Sequence, residues 1–245
     1  MAYTNDDLYN LINFAIRKDK KGQPLTRERY SLILNTSGRE YQEILYDQYE
    51  RTNEMSDSLR RFKVEKTGAQ LSFTGYAIDL PTNYVHWGAL YYKKDGTTVK
   101  PVEKLTDDTF VMRQDSYIEA PSSSYPVCKL STDYIKYLPQ SLDQNNFTFD
   151  YLRYPDTPFY DYYIDVNGVP HYLAAGAVHT WTTGEEDSSG NVHTTGDADW
   201  NSLTVELDFN DEDKLKVAAK MMQAVGVPIN DAGVFTYAEQ LKNES

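Results

Sequence analysis

Apolar positions recur at helical spacing towards both ends of the 245-residue chain and at alternating spacing through its middle. Leu8, Leu11, Ile12, Ala15 and Ile16 fall at i, i+3, i+4, i+7 and i+8, the stripe of an amphipathic helix. Thr4-Asn5-Asp6-Asp7 ahead of them is a capping-box variant with its carboxylate at the third helical position. The polar stretch 18–23 ends that helix. After Pro24, Thr26 can cap a second helix whose stripe takes Tyr30, Ile33, Leu34, Tyr41, Ile44 and Leu45. Asn35-Thr36-Ser37-Gly38 interrupts the propensity, Gly costing about 1 kcal/mol against Ala within a helix. Ser37 and Gly38 share the stripe of Leu34 and Tyr41, so the expectation is one continuous helix that another helix can approach closely. A helix–turn–helix break is the alternative. Residues 56–62 form a last turn.

From Val64 the pattern changes to short alternating runs at 70–80, 84–93, 97–102, 109–112, 127–130 and 134–138, with turn signals at Pro81, Asp95-Gly96, Pro121 and Pro139. The middle of the chain turns on residues 147–165. Phe147, Phe149 and Tyr151 alternate as a strand does, and Pro155 and Pro158 then remove two donors and hold the backbone extended. The stiff arm that results carries Tyr154, Phe159, Tyr160, Tyr162 and Tyr163, more rings than an extended segment can bury against itself. Together with Pro155 and Pro158 these are the candidate interface residues, and either the chain's own core or a neighbouring molecule can cover them. Asn167-Gly168 marks another hairpin, and 172–182 and 192–195 read as strands flanking a polar tip at 184–191. An extended run at 204–209 leads back to helices. Asn210 caps Leu215, Ala218, Ala219, Met222 and Val225, Gly226 stops them, and Asn230 caps a final helix through Val234, Tyr237, Ala238 and Leu241.

The expected fold class is therefore α+β: a helical bundle formed by the N- and C-terminal helices, with an inserted β-sandwich or small β-barrel and an extended arm or hairpin. The helical body takes 1–63 and 202–245, and the β-rich domain takes 64–201, including the arm 154–201.

Charge narrows the function. The chain holds 24 Lys and Arg against 37 Asp and Glu, a net charge of −13. Residues 1–63 are nearly balanced, so the acidic excess lies beyond them. Such a surface repels phosphate and disfavours a nucleic-acid-gripping role, although not one that lets nucleic acid pass. Cys128 stands alone, which excludes a disulfide framework within one chain. No run is long and apolar enough to span a membrane, and the first residues lack the charged and apolar regions of a secretory signal, so the expectation is a protein made and kept in a cytoplasm.

Candidate chemistry is sparse. His86, His171, His179 and His193 have no metal-ligand spacing, although His179 and His193 flank the tip and can approach one another. Asp161 and Asp165 invite a glycosidase reading, which needs carboxyls about 5 Å or about 6.5–9.5 Å apart; with so many acids, solvated surface explains them better. Neither a GxSxG elbow nor a phosphate-cradling glycine loop is present. Trp87, Trp181 and Trp200 could stack on a sugar, and core or interface packing accounts for them at least as well. The expectation is a non-enzyme without cofactor or metal.

The order of elements resembles the head-to-tail connector, or portal-proximal ring, proteins of short-tailed bacteriophages, including the crAss-like group. The resemblance rests on the opening helix Leu8 to Ile16, the second helix around Tyr41 to Tyr49, Asp79-Leu80-Pro81, the segment Tyr151-Leu152-Arg153-Tyr154-Pro155 with Pro158, and the closing helices. It covers most of the chain thinly, with Tyr151 to Pro158 as its firmest anchor. It implies a structural virion protein, made in the bacterial host's cytoplasm and assembled as a homo-oligomeric ring of about twelve copies. Such a ring contacts the portal protein and adjacent ring or tail proteins, and genomic DNA passes through its lumen. The stretch 168–201 is more elaborate than the family's usual arm. A reading from another class, a carbohydrate-binding module or glycan-degrading tail component, follows from aromatics over a β-rich middle, but leaves the terminal helices unexplained.

Overall fold

A computed structural model describes residues 3–18, 25–52, 54 and 56–227. In chain order it comprises α1 (Asn5–Lys18), α2 (Arg27–Thr52), α3 (Asp57–Arg60), β1 (Lys63–Thr67), β2 (Ala77–Asp79), β3 (Tyr84–Lys94), β4 (Thr98–Pro101), β5 (Glu103–Lys104), α4 (Asp107–Gln114), β6 (Val127–Leu130), β7 (Tyr134–Leu138), β8 (Phe147–Arg153), β9 (Tyr162–Ile164), β10 (Pro170–Tyr172), β11 (Val178–His179), β12 (Trp200–Asn201) and α5 (Asp211–Ala224). The fold is α+β with an inserted sheet domain. The final helix expected after Asn230 lies outside the described residues.

The chain divides into two units, residues 1–61 with 155–245, and 62–154. The first boundary falls close to the expected one. The second does not: the segment from Pro155 onward belongs with the helices rather than with the sheets, Phe159 and Tyr160 near its start and Val205 near its end being bonded to Asn5 and Asp6 of α1.

In the helical unit, α1 and α2 both pack on α5. Thr4 and Asp7 form the expected reciprocal cap, Thr4 N donating to Asp7 Oδ2 at 2.8 Å and Asp7 N to Thr4 Oγ1 at 3.2 Å. Leu8, Leu11, Ile12, Ala15 and Ile16 are buried, as are Tyr30, Leu34, Tyr41 and Leu45, whereas Ile44 of the expected stripe is exposed. The second helix is continuous through Gly38. What approaches Gly38 is the extended segment before α5 rather than a helix: a Cβ there would lie 3.3 Å from Leu207 Cδ1 and 3.7 Å from Phe209. Asn210 caps α5, its side chain accepting from Asp213 N at 2.8 Å, and Gly226 with φ +85° ends it.

The inserted unit is a two-sheet sandwich. One sheet has the order β1-β8-β3-β4 and the other β2-β7-β6-β5, antiparallel except for β5 on β6. Phe147, Phe149 and Tyr151 of β8 share one buried cluster with Ile78, Cys128, Ile135 and Tyr137 of the opposite sheet. Of the expected strands, 84–93, 97–102, 127–130 and 134–138 form almost as drawn, while 70–80 shrinks to β2 behind a 3-10 turn. The run 109–112 is not a strand. It lies in α4, where Asp107 and Asp108 occupy the first turn, Phe110 points inward and Val111 and Met112 outward; four apolar-rich residues do not separate the two periods.

Candidate functional site

The candidate interface residues lie on and beside the arm, which the helical unit carries from Pro155 to about Val205. Its first anchor is Asn5, fully buried at the start of α1. Phe159 and Val205 exchange backbone bonds at 3.0 and 3.1 Å, and Asn5 Nδ2 donates to both of their carbonyls, at 3.3 and 2.9 Å. Leu207 N donates back to Asn5 Oδ1 at 3.3 Å. A side-chain amide alone among the short residues offers donors and an acceptor together, as this three-way junction requires.

The rings divide into buried and half-open sets. Tyr160 is 3% exposed, with ring centroids of Tyr172, Tyr9 and Tyr30 at 4.9, 5.3 and 5.8 Å, and its hydroxyl donates to Asp6 Oδ1 at 2.6 Å. Burial, reinforced by that bond, pushes its phenol far above the ordinary tyrosine range. Pro155 and Pro158 are also buried. These three therefore serve the chain's own core and leave the set of outward-facing candidates. Tyr162 is half-buried beneath the Arg27 guanidinium, 4.8 Å from its ring centroid, and Tyr163 is half-buried. Tyr154, at 37%, and Phe159, at 39%, remain exposed.

Asp161 organises the remainder of the arm. It has no exposed surface, and its carboxylate accepts four bonds: from Tyr162 N at 3.0 Å, Ser188 Oγ at 2.7 Å, Trp200 Nε1 at 2.8 Å and Leu203 N at 2.9 Å. The donors come from positions up to 42 residues away, so one buried charge, compensated by bonds, draws the arm together. Asp165 closes the hairpin of β9 and β10, accepting from Asn167 N at 2.9 Å and Val169 N at 2.8 Å. Asp187 does the same at the tip, accepting from Ser189 N and Asn191 N, both at 2.9 Å.

His171, Tyr163, His179, Trp181 and His193 form a continuous column of rings. Successive centroids lie 5.0, 3.8, 4.8 and 3.8 Å apart, and the last contact is parallel within 5°. Each imidazole also meets a carboxylate through Nε2: His171 meets Asp165 at 3.2 Å, His179 meets Glu185 at 3.0 Å and His193 meets Asp187 at 3.2 Å. The expected approach of His179 and His193 is thus realised with Trp181 between them. The strands expected at 172–182 and 192–195 reduce to β10, β11 and an isolated Val192 bridge to Glu186, because side chains rather than a ladder order this stretch.

Asp161 and Asp165 have their oxygens engaged by backbone and side-chain partners within the arm. Trp181 is 1% exposed, and half-buried Trp200 donates to Asp161. Trp87 packs 5.2 Å from Phe149 in the sandwich. Cys128 is buried, and burial pushes its thiol up to about 12, far from the reactive range. Among the described residues, no group of three or more His, Cys, Asp or Glu is placed to hold a metal ion, and no helix is long and apolar enough to cross a membrane.

One feature of the arm belongs to no motif. From Tyr154 to Asp213, 60 residues contain 13 Asp and Glu and no Lys or Arg, so histidines are the arm's only titratable cations. The signal is present in the sequence as the gap between Arg153 and Lys214. In the inserted unit, Met112, Tyr117, Ile118 and Tyr125 project into solvent around α4 and the loop beyond it. No protein-family model matches the chain, and no curated protein does.

Proposed function

We propose that the chain is a non-enzymatic structural subunit of a ring in the head-to-tail connector of a short-tailed bacteriophage, below the portal, built from about twelve copies. The observation that carries this reading is the arm, in which Asp161, Asp165, Glu185, Asp187 and Asp197 are engaged with its histidines, its side-chain donors and its backbone. That use of acidic groups suits a shaped contact element. A stretch of 13 acids without Lys or Arg gives phosphate nothing to hold, as a subunit beside passing genomic DNA requires. Tyr154 and Phe159 on or beside the arm, and Tyr117, Ile118 and Tyr125 on the inserted unit, supply exposed rings and aliphatic surface for the portal and for neighbouring ring or tail proteins. The carbohydrate reading draws less support, since Trp181 is enclosed and Asp161 is saturated with donors.

A pair of truncations tests the proposal. Phe159→Ala removes a ring that is 39% exposed and is expected to cost the isolated protein about 1 kcal/mol, while blocking incorporation into connector complexes when the partner is present. Tyr160→Ala removes a buried ring and is expected to cost about 3–5 kcal/mol in urea unfolding of the isolated protein. Normal incorporation of Phe159→Ala would count against the arm as an inter-subunit contact.

A further inference from the structure

Residues 162–202 keep their shape with little core of their own. Leu173 and Trp181 are the buried apolar side chains there, against the eleven of the cluster that joins the two sheets of the sandwich. What orders this backbone is a run of four tight turns, each closed by a carboxylate at its corner. Asp165 accepts from Asn167 N at 2.9 Å and Val169 N at 2.8 Å, Glu185 from Thr182 N at 2.7 Å, Asp187 from Ser189 N and Asn191 N, both at 2.9 Å, and Asp197 from Thr194 N at 2.8 Å. The same four residues close the turns with their own N–H groups: Asp165 N donates to Val169 O at 2.9 Å, Glu185 N to Thr182 O at 3.2 Å, Asp187 N to Asn191 O at 3.0 Å and Asp197 N to Thr194 O at 3.1 Å. We propose that this outer arm is an acid-released module: protonation of Asp165, Glu185, Asp187 and Asp197 opens its four turns together, while the helices and the sandwich stay folded.

A carboxylate that gains a proton exchanges charge-assisted bonds for weaker neutral ones, and one of its oxygens becomes a donor among donors. With so little apolar burial beside them, these bonds set the local stability of the segment and place it at the low end of the molecule. The turns are also tied to one another. Ile164 and Glu186 exchange backbone bonds at 2.8 and 2.9 Å, which joins the first turn to the third. Gly184 N donates to His193 O at 2.9 Å and His193 N to Glu185 O at 2.8 Å, which joins the second to the fourth. Opening one turn therefore loosens the others.

The groups facing these carboxylates are His171 on Asp165, His179 on Glu185, and His193 on Asp187 with Asp197 on its other side; Tyr163 stacks between His171 and His179. Ser188 links the tip to Asp161, and Arg27 of α2 lies over Tyr162 at the base. The segment itself has no Lys or Arg. The Val169 N–H leads in holding Asp165 below the usual carboxylate range, and the Thr194 N–H does so for Asp197. Burial acts upward on Glu185 and Asp187, but the bonds from Thr182 and Asn191 outweigh it and leave both lowered. Each folded value lies below its unfolded one, so the stabilisation is fully present above the ordinary range, about pH 4, and is lost as pH falls through the lowered values. The release does not depend on the connector reading.

The test is amide hydrogen exchange on the full chain labelled with ¹⁵N, corrected for its intrinsic rate and followed from about pH 6 to about pH 2.5. Protection at Asp165, Glu185, Asp187 and Asp197 should fall about tenfold or more with one common midpoint below about pH 4, tenfold being the ratio of a charge-assisted to a neutral hydrogen bond. Amides of β8 and α5 should keep theirs. Asp187→Asn, which fixes an uncharged group at one corner, should lower protection at all four positions already at about pH 6. Unchanged protection in the turns, four separate midpoints, loss of β8 and α5 at the same pH, or an effect of Asp187→Asn confined to its own turn would each overturn the module. The wild-type titration decides the question even where the variant fails to order its arm.

Discussion

Asp161 illustrates how one buried charge can replace a hydrophobic core in a segment poor in regular structure. Four donors converge on it, and each of them would face an amide poorly suited to accept from all four if Asp161 were Asn. Asp161→Asn is expected to lower stability by about 3 kcal/mol, from weakened charge-assisted bonds and at least one donor left without an acceptor. Urea unfolding monitored by tryptophan fluorescence should report it, because Trp200 is one of the donors. In the sequence Asp161 reads as half of a glycosidase pair or, better, as one solvated acid among 37, and no local pattern distinguishes a saturated carboxylate from a solvated one. Its partners Ser188, Trp200 and Leu203 are remote in sequence, so the network exists only after folding. The same limit applied to Tyr160, whose burial depends on Tyr9, Tyr30 and Tyr172.

Elements with their own punctuation were legible; elements made by tertiary bonds were not. The stripe of α1, the turn at Asp95-Gly96 and the strands β6 and β7 all carry local signals and appear where those signals place them. Residues 172–195 carry alternation too, but ring stacking and carboxylate turns claimed that backbone first. For α4, acids in the first turn overrode a four-residue alternation. The cap of α5 shows a local signal with a measurable weight. Asn210 accepts from Asp213 N, and its Nδ2 reaches Ser58 Oγ at 3.1 Å. Asn210→Ala should cost about 1 kcal/mol, read as a lower urea midpoint with unchanged slope. A loss below the error of that titration would mean that packing of α5 on α1 and α2 makes the cap redundant.

For the whole molecule, the division of charge matters more than its sum. The 60 residues from Tyr154 carry a formal charge of −13, equal to the net charge of the entire chain, so the remainder is balanced. A segment so built offers no cations for the counterion exchange that drives non-specific binding. Duplex DNA at about 150 mM salt should show no sub-micromolar binding in a fluorescence anisotropy titration, and such binding would remove the channel from the account. The two-unit organisation, with α1 to α3 and α5 in one unit and a sandwich inserted between them in sequence, was readable from the switch of apolar period near Val64. The return boundary was misplaced because Pro155 and Pro158 look like the start of a projection and are instead buried in the helical unit. The central claim is the proposed assembly, and negative-stain microscopy of the purified protein mixed with the proposed portal partner tests it most directly. Closed rings of about twelve subunits stacked on the portal are the expected result, while a protein that stays monomeric beside intact portal rings would contradict the account.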